Sequence, residues 1–132
     1  METNGQTDYT RVNLLDVEDA AAKHGFGETG AARFPAGDLH AERTGLSLHS
    51  LLPGRRQSFG HRHRDAEEVY VVLAGSGRAK LDEQVVELKR LDAIRVAPPV
   101  ARCFEADDDG LELLALGARH QGDGEILPGW WS

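Results

Sequence analysis

Residues 61–75 read HRHRDAEEVYVVLAG, and this stretch decides the fold. Side chains alternate along an extended strand with period two, so His61 and His63 point to one side and Arg62 to the other. Arg64, Asp65, Ala66 and Glu67 form a short polar connection to Glu68. Glu68 opens a run of β-branched and aromatic residues that ends at Gly75. A hairpin of this kind brings two imidazoles and one carboxylate together, a ligand set suited to a borderline divalent metal.

Working outward, the same period-two pattern recurs on both sides. Upstream, Leu46, Leu48, Ser50 and Leu52 share one face and Ser47, His49 and Leu51 the other, until Pro53-Gly54 ends the strand. Downstream, Gly75-Ser76-Gly77 reads as a turn into a strand through Leu81, Asp82-Glu83-Gln84 as a turn into Val85–Leu88, and Leu91–Ala97 as the next strand. After Pro98-Pro99 come Ala101–Ala106, an acidic turn at 107–110, and Leu111–Gly117. Eight or so short strands with turn signals every 8–12 residues specify an all-β sandwich or barrel. Ahead of them, residues 1–10 are polar and loosely specified. Asp16 to Gly25 predicts a short helix with Asp16 as N-cap and Gly25 just past its end.

Composition narrows the class. The 132 residues suit one domain, and 15 glycines exceed the ordinary share of roughly 7%. A formal net charge of −7 opposes a nucleic-acid-binding role. The single cysteine, Cys103, excludes an internal disulfide scaffold. No apolar stretch approaches the ~18 residues of a spanning helix, and METNGQTDYTRVNLL has no secretory pattern. The expectation is a cytoplasmic protein with no membrane or nucleic-acid partner.

Gly54, His61-Arg62-His63, Glu68 and Gly75 are similar in order and spacing to the first cupin motif, and the wording Glu-Val-Tyr-Val-Val-Leu-Ala-Gly strengthens the match. The second motif is degenerate: Leu91-Asp92 replaces its Gly-Asp start, Pro98-Pro99-Val100 its turn, and Cys103 stands where the third histidine falls. The chain thus resembles a small single-domain cupin over roughly residues 46–118. The resemblance implies a double-stranded β-helix (jelly-roll) barrel at 31–120. A 1–30 extension carrying the short helix precedes it, and a 121–132 tail packs on the barrel or on a partner.

The resemblance makes His61, His63 and Glu68 metal ligands for a divalent transition metal, Zn, Fe, Mn or Ni. Cys103 either completes the shell as a thiolate or is a buried small hydrophobe. Tyr70 shares parity with Glu68 and faces inward. His49, Gln57, Tyr70 and Arg102 are the pocket-lining candidates, each with an ordinary structural alternative. Arg55, Arg56, Arg62 and Arg64 form a basic strip that either attracts an anionic small molecule or is a solvated face, the latter preferred for Arg62 and Arg64. Trp130 and Trp131 are too apolar to be left in water and pack on the barrel or on another subunit of a homodimer. Two functions remain open: a metal-dependent oxygenase- or isomerase-type enzyme acting on a small molecule, and a non-catalytic small-ligand binding or sensing module with a vestigial metal site.

Overall fold

The computed structural model describes residues 8–119 and 122–132. Among these residues are eight strands: β1 Gly30–Arg33, β2 Thr44–Leu51, β3 Phe59–His63, β4 Glu68–Leu81, β5 Gln84–Leu88, β6 Ala93–Val96, β7 Arg102–Ala118 and β8 Gly124–Pro128. All pair antiparallel, and β4 and β7 run alongside each other for almost their whole length. The first half of β4 and the second half of β7 lie in one sheet, in the order β1-β2-β7-β4-β6. Their other halves lie in a second sheet, in the order β8-β3-β7-β4-β5. The two sheets face each other as a jelly-roll barrel.

The long strands change sheet where glycine lets them. At Gly75 φ is +75°, and a Cβ there would stand 2.0 Å from the Gly110 carbonyl oxygen. Gly110 itself has φ +77°. The β4–β7 register shifts between Val72 and Ala74 and again between Gly75 and Gly77, the local bulges that bend a strand without ending it. The turns expected at 75–77 and at 107–110 are therefore corners within continuous strands. Asp107, Asp108 and Asp109 are exposed on the outside of that bend.

Between the sheets lies a core of Leu51, Tyr70, Val72, Ala79, Leu88, Val96, Phe104, Ala106, Leu111, Leu113 and Ala115. Each large side chain taken fully from water contributes roughly 1.5–3 kcal/mol. Alternation along β4 places Tyr70 and Val72 in this core.

The N-terminal helix is shorter than expected. Leu14–Asp16 is a 3₁₀ turn capped by Asn13, and among the described residues only Ala20–Lys23 (α1) is α-helical. Asp19, not Asp16, is the N-cap. Its Oδ1 accepts from the amides of Ala21 and Ala22 and also from Ala32 in β1, so one carboxylate both starts the helix and ties it to the sheet. No helix among the described residues is long and apolar enough to cross a membrane.

Candidate metal centre

Strand parity does what the sequence requires of β3. His61 and His63 face the barrel interior, while Arg62 faces out and pairs with Glu125 on β8. Glu68 and Tyr70 enter the same space from the start of β4. The ligand atoms of His61, His63 and Glu68 lie within 4.8 Å of one another. Glu68 Oε1 is the hub: His63 Nε2 is 3.0 Å away, His61 Nε2 3.4 Å, and the Tyr70 hydroxyl donates to it at 2.6 Å.

The connection between the two strands is fixed from an unexpected quarter. Asp123, buried just ahead of β8, accepts the amides of Arg64 and Asp65 at Oδ1 and that of Ala66 at Oδ2, each at 2.9 Å. Its Oδ2 also lies 3.6 Å from His63 Nδ1. That nitrogen is buried and has no hydrogen-bond partner among the described residues. A proton on Nδ1, facing Asp123, leaves the Nε2 lone pair directed into the cluster, the tautomer that a metal ligand needs.

Protonation states agree. Burial holds His63 below the ordinary imidazole value, against the opposing pull of Glu68. Burial works to raise the Glu68 carboxyl, but hydrogen bonds with His61 and Tyr70 and the nearby imidazoles outweigh it and bring it to about 2. Tyr70 is pushed well up, first by burial and then by the Glu68 charge, and stays a hydroxyl donor. A neutral His63 imidazole beside an ionised Glu68 suits a divalent cation. Two ligands each ~2.1 Å from a metal and set cis to one another stand ~3.0–3.4 Å apart. The two His–Glu68 separations fall at the ends of that range, so the three residues fit a metal.

At the fourth position the sequence left Cys103 as either a thiolate ligand or a small buried side chain. His61 is in direct register with Arg102 across β3 and β7, and cross-strand partners point to the same face. Arg102, not Cys103, therefore reaches the cluster, with its NH1 donating to Glu68 Oε1 at 2.8 Å. Its Nε donates to the Val100 carbonyl and its Nη2 to the carbonyls of Ala97, Pro98 and Val100. With no exposed surface, it stands behind Glu68 and does not line the cavity. Cys103 points the opposite way, its thiol toward the carbonyls of Gln57 and Phe59. Burial pushes that thiol up to about 11. The structure places it apart from the three ligand atoms, as a small buried side chain.

Above the cluster opens a cavity of about 670 Å³ whose polar end is formed by His49, His61, His63, Glu68 and Tyr70. Its walls are mainly apolar: Ala20 and Ala21 of α1, Phe26, Phe34, Phe59, Leu51, Ile126 and Pro128. His49 lies on the wall with its Nε2 2.8 Å from Ser47 Oγ, and burial lowers its pKa to about 4. Gln57 also reaches the wall, although its Oε1 is engaged by the Phe104 amide. None of Arg55, Arg56, Arg62 and Arg64 lines the cavity. Arg56 pairs with Glu105 and stacks on Trp131, and Arg64 extends outward beside Asp65.

Sequence reasoning missed Asp123 and the phenylalanines of the mouth. Asp123 sits between two glycines in what reads as a loop, about sixty residues from its partners, and no local pattern marks it. Phe26 belongs to the segment read as an extension and Phe34 to the start of the barrel, yet neither was singled out, and they stand edge-on to Phe59 and His49 respectively.

Solved structures share this architecture. A cupin protein from Bacteroides fragilis is 21% identical, with 89% of each chain covered and a TM-score of 0.71. A polyketide cyclase from Streptomyces resistomycificus is 19% identical, covering 93% of this chain and 87% of its own, at a TM-score of 0.70. A sugar phosphate isomerase of the cupin superfamily from Silicibacter pomeroyi is 16% identical, covering 93% and 95%, at 0.68. No protein-family model matches the chain, and no curated protein matches its sequence. At these identities the likeness is one of fold, and one fold hosts many chemistries.

Proposed function

Starting from a chain that folds as a small cupin barrel, we propose that His61, His63 and Glu68 hold a divalent transition metal (Zn, Fe, Mn or Ni) and that the cavity presents a small, largely apolar molecule to it. The observation that carries this reading is the convergence of three ligand atoms at the polar end of an otherwise apolar cavity. When bound, the metal supplies Lewis-acid or oxygen chemistry at its open positions. The protein's own residues set the stage. Asp123 holds the 64–66 connection and faces the His63 ring. The Tyr70 hydroxyl holds Glu68. The phenylalanine-rich mouth shields a bound molecule from water, and an oxygenase- or isomerase-type reaction on such a molecule follows.

Metal analysis of protein purified without a polyhistidine tag tests the reading. Wild type equilibrated with a saturating excess of Zn²⁺, Mn²⁺, Fe²⁺ or Ni²⁺ should take up about one equivalent of at least one of them. His61→Ala and His63→Ala should retain almost none. Less than about a tenth of an equivalent of every metal in wild type would sink it.

A specific observation favours a second reading. Arg102 holds the same Glu68 oxygen that faces the two imidazoles, which suits a binding or sensing module in which the ligand cluster survives as a hydrogen-bonding floor. His61→Ala would then weaken small-ligand binding with no turnover to lose. Steady product formation from any metal-loaded sample counts against this alternative.

A further inference from the structure

The metal reading leaves unexplained a permanent cation built into the site. Arg102 cannot lose its proton, is wholly buried, and is locked by three backbone carbonyls and Glu68. It cannot swing away without stranding those carbonyls, and buried unpaired polar groups are costly. We propose that Arg102 makes metal binding conditional on an anionic ligand: the site takes a divalent cation well only together with a carboxylate or phenolate group carried by an apolar body. The proposal rests on the metal reading above and names the ligand class for that site.

Charge counting carries the argument. The groups facing the cluster are Glu68 and Asp123, both anionic, the Arg102 guanidinium, and imidazoles that are neutral when they ligate. Before a metal enters, the set holds one guanidinium, paired with Glu68, and two carboxylates. A divalent cation added to that set leaves one positive charge uncompensated in a half-buried, low-dielectric space, where charge imbalance is expensive. Glu68 is moreover shared, because the oxygen nearest the imidazoles already accepts from Arg102 and Tyr70. An anion at the metal's open position corrects the imbalance. Glu68 is the only acidic residue lining the cavity, and no lysine or arginine lines it, among the described residues. The counter-charge thus has to arrive with the ligand, and the phenylalanine walls select one whose remaining surface is apolar.

Calorimetric titration of the full chain with Zn²⁺ tests this, in the presence of benzoate, of its neutral isostere benzamide, or of neither. Benzoate should tighten Zn²⁺ binding at least about tenfold and benzamide less than about twofold, with Zn²⁺ tightening benzoate by the same factor. Arg102→Gln should bind Zn²⁺ alone about tenfold more tightly than wild type and lose most of the benzoate effect. Equal Zn²⁺ affinity in all three wild-type conditions overturns the role of Arg102 and leaves the metal site standing. A folded R102Q protein with unchanged Zn²⁺ affinity overturns it as well. Failure of wild type to bind Zn²⁺ under every condition, with or without benzoate, overturns both readings. Should R102Q not fold, the benzoate–benzamide comparison on wild type decides alone.

Discussion

Asp123 acts in two directions at once, gathering three successive backbone amides while facing the His63 ring. Burial works to raise its carboxyl pKa, and the amides of Asp65, Ala66 and Arg64 outweigh that effect. Asp123→Asn keeps the shape but cannot accept all three amides as well, and Asp123→Ala accepts none. Both should lower the urea midpoint, Ala more than Asn, and both should weaken Zn²⁺ binding by about 10- to 100-fold, the usual loss for a group that orients a metal-binding histidine. His49 supplies a pH dependence. Its folded pKa, lowered by burial to about 4, lies below the ordinary 6.5, so between these values the unfolded chain binds a proton that the folded chain does not. Stability therefore rises with pH across that window and is lost on acidification. At pH 5 the loss from this group is about 1–2 kcal/mol relative to pH 7.5. Urea denaturation at the two pH values should show a smaller loss for His49→Gln than for wild type. At this scale, the sequence shows residues whose partners sit within one strand or hairpin. His61, His63, Glu68 and Tyr70 follow from parity and a short connection. Arg102 does not, because its face depends on the register between β3 and β7, and a one-residue error in register exchanges it with Cys103.

The elements owe their shape to two corners. Gly75 and Gly110 both have positive φ, and a Cβ at Gly75 would collide with the Gly110 carbonyl at 2.0 Å. Backbone cannot yield there without separating β4 from β7, the pairing on which both sheets depend. Gly75→Ala should cost more than about 3 kcal/mol or abolish folding. Gly54 offers the control, since its φ is +70° but nothing lies within 4 Å of an added Cβ. Gly54→Ala should cost only the local strain of about 1–2 kcal/mol. Equal urea midpoints for the two variants would contradict this account of the corner. The same glycines explain why the elements were only partly legible. A glycine flanked by small or acidic residues is the local signature of a reversal, yet here it marks a bend in a strand that continues. Strand existence was readable from alternation, and strand continuity was not, because it is decided by the partner strand. The N-terminal helix shows the converse: the sequence points to Asp16 as the cap, and the cap is Asp19, whose carboxylate also takes the Ala32 amide of β1.

For the whole molecule, the decisive fact is how the strand that carries His61 and His63 is held. β3 has a single register pair with β7, at His61 and Arg102, but five with β8, from Phe59–Pro128 to His63–Gly124. Beyond β8 the chain folds back over the barrel. Trp130 lies against Gly60, where a Cβ would be 2.7 Å from its ring, and takes Lys80 on its face at 4.4 Å. Trp131 is covered by Arg56 at 4.3 Å. The pair of tryptophans signals in the sequence that the tail is packed. That the residues just before them form a strand beside the histidines is hidden, because Glu125–Pro128 is short, ends in proline and pairs with residues more than sixty positions earlier. The site is thus built by both ends of the fold, with Gly124, Ile126 and Pro128 lining the cavity to whose polar end β3 contributes His61 and His63. Removing residues 124–132 should leave the β4–β7 framework but free one edge of β3, an open edge that invites intermolecular pairing. The truncated chain should bind Zn²⁺ at least about tenfold more weakly than wild type and self-associate on sedimentation. Trp130→Ala, which keeps β8, should cost about 2–4 kcal/mol with a smaller loss of metal affinity. A truncated chain that binds Zn²⁺ as wild type does would show that β7 alone positions the histidines.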